Sequence, residues 1–225
     1  MSAPAGNLQP IFAIPFGTAR IAQPDRLNLA LAAGLAPLAT DAHRDGTLPA
    51  DPFCFRSREE VFEWQGEPLS YLKREMLAAT CGIVMAANSY TEEQFNALGM
   101  QARARFIVVR PNGALPITAL SLASWCVVYC VAAPDLTPER PDSATLRLYA
   151  HRFGGMYLDA GNQDMREPYH YRHHAWLPIP GDMAIFPAWL PHEVALNRGD
   201  RDLMLVIARV RLADPGAFSG LMPPW

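Results

Sequence analysis

The chain predicts a mainly β protein: an antiparallel sandwich with helices packed against one of its sheets. Three observations lead there. The first hundred or so of its 225 residues carry helical periodicity, whereas beyond residue 100 short β-branched and aromatic runs alternate with turn residues. Those runs follow one another without the strand–helix–strand alternation that builds parallel sheets. Half of the residues are apolar, enough for the sizeable core that two packed layers need.

Taken in order, Ile11 to Pro15 reads as a short opening strand. Pro24-Asp25 then introduces a helix near residues 26–38, with Asp25 as N-cap and Leu27, Leu29, Leu31 and Leu35 at helical spacing. Residues 43 to 56 are rich in Asp, Pro and Gly and read as loop. Ser57-Arg58-Glu59-Glu60 has the form of a capping box, in which Ser57 and Glu60 satisfy each other's free backbone donors, so a second helical region is expected over residues 57–87. From Pro68 to about Ala87 the apolar Leu69, Leu72, Met76, Leu77 and Cys81 interleave with Lys73, Arg74 and Glu75, an amphipathic helix that must lie on a sheet.

Strands follow at Phe106–Val109, Trp125–Val131, Thr145–Tyr149, Ala175–Ile179, Met183–Phe186 and Leu203–Leu212. Pro111-Asn112-Gly113, Gly154-Gly155, Pro180-Gly181-Asp182 and Asn197-Arg198-Gly199-Asp200 separate them with turn chemistry. The expected organisation is one domain over residues 1–225, with a helical N-terminal region over residues 1–100 packed on a β core at 105–212.

Charge narrows the function classes. Nineteen basic against 22 acidic residues leave a formal charge of -3 with no block of like charge, so nucleic acid and acidic membranes are not expected partners and a small-molecule substrate is. No window approaches 18 consecutive apolar residues, and Met1-Ser2-Ala3-Pro4 lacks the basic start of a signal peptide, so the expected location is cytoplasmic. Cys54, Cys81, Cys126 and Cys130 form no CxxC motif and read as reduced, small buried hydrophobes. The segment Phe218–Trp225 is apolar for a chain end and is expected to dock on its own domain or on a partner, and a homodimer is left open.

The stretch Pro180-Gly181-Asp182-Met183-Ala184-Ile185-Phe186-Pro187-Ala188-Trp189-Leu190-Pro191-His192-Glu193-Val194 resembles the signature of a bacterial and phage family of 2-oxoglutarate and iron(II)-dependent oxygenases. Pro10 to Pro15, the Phe55-Arg56-Ser57 entry and Val128-Tyr129-Cys130-Val131 before Pro134 are similar to other elements of that family. The resemblance implies a double-stranded β-helix, the cupin-like jelly roll. It also implies iron(II) and 2-oxoglutarate as cofactors, with iron held at one open end by a His-x-Asp or His-x-His pair and a distal His. Such a facial set leaves three positions for the oxo acid and oxygen.

On that pattern His192 matches the distal ligand, while the first pair falls at Thr118 and Leu120, neither of which can replace an imidazole. Two of three ligands are therefore missing. The resemblance places the arginine that grips the remote carboxylate at Arg201, whose planar fork would suit it, although its strand face continues as Leu203, Leu205 and Ile207. A relocated metal site would draw on Tyr169-His170-Tyr171-Arg172-His173-His174, where His170 and His174 share a face if the segment is helical. A solvated or substrate-lining loop has the same composition.

Other polar groups are candidates to line the mouth. Tyr129 sits on the central strand; period-two alternation groups Arg147, Tyr149 and His151 on one face and Leu146, Leu148 and Ala150 on the other. Facing inward, the polar set supplies an acid, a base and an anion clamp without metal; facing outward, it is the solvated side of a sheet. Two enzyme readings follow. One is an oxygenase-like enzyme acting on a small metabolite, with secondary metabolism as a candidate setting, through an unusual metal site made of His192, His170 and His174. The other is a metal-free cyclase, isomerase or lyase using His192, Tyr149 and His151 as catalytic groups, with Arg201, Tyr129 and Arg147 binding the ligand. A catalytically silent binding module is the third alternative.

Overall fold

A computed structural model describes residues 13–135, 139–149, 165 and 173–213. His151, His170, the Gly154-Gly155 turn, the beginning of the expected opening strand and the apolar Phe218–Trp225 segment lie outside them.

The helical layer holds α1 (Pro24–Leu35), α2 (Glu67–Ala87) and the short α3 (Glu92–Asn96). α1 starts with proline at N1, and its N-cap is Gln23, so Asp25 sits in the first turn instead, where its charge complements the helix dipole. The capping box expected at Ser57 is absent. Ser57 is fully buried and continues a strand, its hydroxyl accepting from Phe106 N and donating to Arg58 O; α2 begins ten residues later, at Glu67, behind Pro68. The capping box that does form is Thr91–Gln94, at α3.

Among the described residues ten strands make two antiparallel sheets: β1 (Gly17–Arg20), β2 (Cys54–Arg56), β3 (Gly99–Val109), β4 (Leu115–Thr118), β5 (Trp125–Ala132), β6 (Leu146–Leu148), β7 (His174–Trp176), β8 (Asp182–Pro187), β9 (His192–Val194) and β10 (Leu203–Ala213). The major sheet has the order β1-β8-β5-β10-β3-β2 and the minor sheet β4-β9-β6-β7. From β3 onward the chain passes repeatedly from one sheet to the other, which is the double-stranded β-helix topology. The Asp/Pro/Gly-rich stretch expected to be loop ends in β2, because Phe55 is buried against Phe106 with ring centroids 5.1 Å apart. The opening strand is displaced to Gly17–Arg20, where Gly17 lets the chain pass under Ile83: a Cβ there would lie 2.4 Å from its Cδ1.

Alternation along the major sheet makes two cores. Phe106, Val108, Val127, Tyr129, Val131, Ile185 and Val206 face the helices with Leu31, Leu72 and Met76. Ile107, Val109, Cys126, Val128, Cys130, Phe186, Leu203, Leu205 and Ile207 face the minor sheet with Leu146, Leu148, Trp176 and Val194. Asn197 ties the turn before β10 into this frame, its Nδ2 donating to Val109 O at 3.0 Å and Arg201 O at 2.8 Å.

Candidate functional site

His192 opens β9 at one end of the sandwich and is only 4% exposed. Its strand partners fix its direction. It lies opposite Leu148 in β6 and Thr118 in β4, and Leu148 belongs to the core between the sheets, so the imidazole points inward. Its Nδ1 lies 2.8 Å from Leu190 O, and its ring meets Phe186 edge-on at 5.1 Å between centroids. A carbonyl oxygen can only accept, so Nδ1 carries the proton and the neutral ring presents its lone pair at Nε2.

Burial lowers the His192 pKa, with the Leu190 hydrogen bond opposing that shift. The ring is therefore neutral at pH 7. A histidine with a depressed folded-state pKa contributes stability that is complete above the unfolded value of about 6.5 and is lost as pH falls through the folded one. Midpoint temperatures measured from about pH 7.5 down to 5 should fall more steeply for the native chain than for His192→Asn; equal slopes would show that the buried imidazole is not the group responsible.

Of the positions inferred for the missing ligand pair, Thr118 lies beside His192 and Leu120 at the same rim. Thr118 is its direct cross-strand partner, and Leu120 packs partly buried against the core between the sheets, its N–H donating to Ala188 O at 2.9 Å. A hydroxyl with an aliphatic side chain gives iron no second and third strong ligand, so the residues present do not fit the facial iron site. Among the described residues no group of three or more His, Cys, Asp or Glu is placed to hold a metal ion.

Other site residues fall elsewhere. Tyr129 is fully buried on the helix side of the major sheet, its hydroxyl donating to Asn28 Oδ1 at 2.5 Å, and burial pushes its phenol upward. It cannot line the space between the sheets, because neighbouring Val128 and Cys130 take that face. Arg147 and Tyr149 occupy the outer face of the minor sheet, opposite to buried Leu146 and Leu148. There both contact Glu193, at 3.3 and 2.6 Å, and Arg147 also reaches Asp142 at 2.9 Å. Arg201 precedes β10 and forms an exposed ion pair with Asp135; the residues that follow it inward are the buried Leu203 and Leu205. His174, in β7, does share the inner face, opposite Leu148 of β6, with its ring 4.5 Å from that of Phe16 and tilted by 59°.

Sequence reasoning missed the cations of this end. On β10, Arg209 and Arg211 continue the inward set of Leu203, Leu205 and Ile207, and Arg103 and Arg105 continue it on β3. Arg209 donates to Ser121 O at 3.3 Å and Arg211 to Leu122 O, fastening the β4–β5 connection that carries Leu120. Leu122 holds a left-handed φ of 59° there, a conformation leucine rarely adopts. Glu59 bridges Arg105, at 2.5 Å, and Arg209. Charges recurring at period two inside an apolar strand, in Ala208-Arg209-Val210-Arg211, were the signal.

This architecture is found in solved structures. A Pseudomonas putida prolyl-4-hydroxylase matches at 17% identity with a TM-score of 0.55, over 88% of this chain and 92% of the other. EvdO2 from Micromonospora carbonacea, also seen in complex with 2-oxoglutarate, matches at 12% identity and 0.54, over 94% and 91%. The non-haem alpha ketoglutarate dependent carbocyclase SnoK from nogalamycin biosynthesis matches at 10% identity and 0.58, over 88% and 79%. No family model and no curated protein matches. The chain thus has the double-stranded β-helix fold of the 2-oxoglutarate/iron(II) oxygenases. No helix among the described residues is long and apolar enough to cross a membrane.

Proposed function

We propose that the chain is a small-molecule enzyme on the oxygenase scaffold in which a neutral His192, rather than a three-ligand iron centre, carries the chemistry as proton acceptor and donor. The observation behind this reading is the row Thr118–His192–Leu148 across β4, β9 and β6, which keeps an inward imidazole and sets a hydroxyl beside it where a metal ligand would stand. Nε2 takes a proton from one atom of a bound substrate and returns it to another, the balance of an isomerisation or of a cyclisation without net oxidation. Leu190 O stabilises the imidazolium formed in between. Phe186 against the ring makes its immediate surroundings apolar, and Arg209 on the same inward face is neutralised by Glu59, which favours a compact, largely uncharged substrate at the rim. Two structurally similar proteins described as an epimerase and a carbocyclase of nogalamycin biosynthesis support a small metabolite as substrate.

The test is to purify the chain without chelators, measure iron, and then add iron(II) with 2-oxoglutarate and follow decarboxylation of the oxo acid. Iron well below one atom per chain and no decarboxylation are expected. Stoichiometric iron that disappears in His192→Ala would overturn the proposal. It would favour a second reading, a relocated metal site, which rests on His174 lying on the same inward face; metal content should then also fall in His174→Ala.

A further inference from the structure

A cavity of about 320 Å³ lies in the helical layer on the far side of the major sheet from His192. Leu31, Leu35, Leu38, Leu69 and Trp64 wall it, and His43 is its one imidazole. Three independent features make it a built site. The His43 Nδ1 is buried without a hydrogen-bond partner, although the residue itself is held by His43 N–H to Thr40 O at 3.0 Å, Arg58 N–H to His43 O at 3.0 Å and an edge-on contact with Trp64 at 5.5 Å. A buried polar atom of this kind is costly unless something completes it. Gly34 lines the same cavity from within α1, in a helix position that glycine fits worst after proline, and a Cβ built there would meet nothing within 4 Å. No local backbone demand accounts for it, and at this exposed position the missing side chain leaves the mouth of the cavity open. Trp64 is fixed edge-on to Phe106 at 6.0 Å, so the indole wall is preorganised.

We infer that this cavity binds a neutral, mainly apolar ring molecule carrying one hydroxyl, the ring lying between Trp64 and the leucines and the hydroxyl bonded to His43 Nδ1. The hydroxyl is the chemistry that serves whichever tautomer His43 adopts, since it both donates and accepts. Aliphatic and aromatic walls without a lysine or arginine give a charged ligand no counter-ion. The site is independent of the His192 chemistry, because the two lie on opposite faces of the major sheet.

The experiment titrates the full ¹⁵N-labelled chain with 2-naphthol and with naphthalene. Amide shifts are expected at Gly34 and Gly66 and at the Trp64 indole, with 2-naphthol binding about tenfold tighter, the worth of one buried hydrogen bond. Gly34→Leu should fold with an unchanged or higher midpoint temperature and lose the shifts; Ala30→Leu, which fills the same cavity from the previous turn, gives the same readout if the first variant is unstable. His43→Phe should bind both probes equally. Absence of shifts at those positions, binding that survives the filling variants, or naphthalene binding as tightly as 2-naphthol in the native chain would each overturn the inference.

Discussion

Replacing Glu59 by Gln should destabilise the fold by about 3 kcal/mol, the scale for removing one partner from a desolvated ion pair. Glu59 retains 15% of its side-chain exposure and neutralises both Arg105 and Arg209, which retain 20% and 15%. Its loss leaves two guanidiniums on adjacent strands, with Asp45, 3.1 Å from Arg105, still pairing that one. The neighbouring Glu60 provides the control. It pairs with Arg58 at 2.9 Å where the side chains are 32% and 49% exposed, so Glu60→Gln should cost no more than about 0.5 kcal/mol. Equal midpoints for the two variants in urea would show that the Glu59 bridge contributes nothing special. Because Arg209 also holds Ser121 O, Glu59→Gln should additionally speed amide hydrogen exchange over residues 119–124, at the rim beside His192.

His192→Ala should lower turnover about 10²–10⁴-fold, the range contributed by a positioned acid–base group, and EDTA should leave the native enzyme unaffected. The variant should remain folded, because Phe186 and Leu148 remain packed within the larger apolar cluster between the sheets. Under the relocated-metal reading the outcomes separate cleanly: chelation would then reproduce the His192→Ala defect. Unchanged turnover in His192→Ala would remove the residue from both schemes and point to a site elsewhere or to a binding module.

Much of the β core was legible because its strands are apolar, β-branched and bounded by turn residues. β5, β8 and β10 lie within a residue or two of their expected limits. The short strands β2 and β4 were not, since so short a segment has no periodicity; pairing with β3 and with β9 makes them strands. The misplaced helix start at Ser57 shows the same competition. Its capping-box pattern is real in sequence, but burying Phe55 and bonding Phe106 N keep the chain extended. At the site, the resemblance located His192 and its partner Thr118, whereas Arg147 and Tyr149 turned on a single parity choice that only the burial of Leu146 and Leu148 decides. Glu59, Arg105 and Arg209 were illegible as a group because their contacts join residues 46 apart and more in sequence.

The central place of β10 governs the order in which the molecule can assemble. Leu203–Ala213 is the last strand of the described chain, yet it is hydrogen-bonded on both sides, to β3 along its whole length and to β5. A nascent polypeptide that has emerged only to residue 200 holds β3 and β5 without the strand that joins them, and both present open, apolar edges. Closure waits on a contact that spans about half the chain, a long loop whose entropy must be overcome before any ladder forms. Synthesis rate and chaperone supply, rather than final stability, should therefore set how much of the protein reaches the native state in a cell.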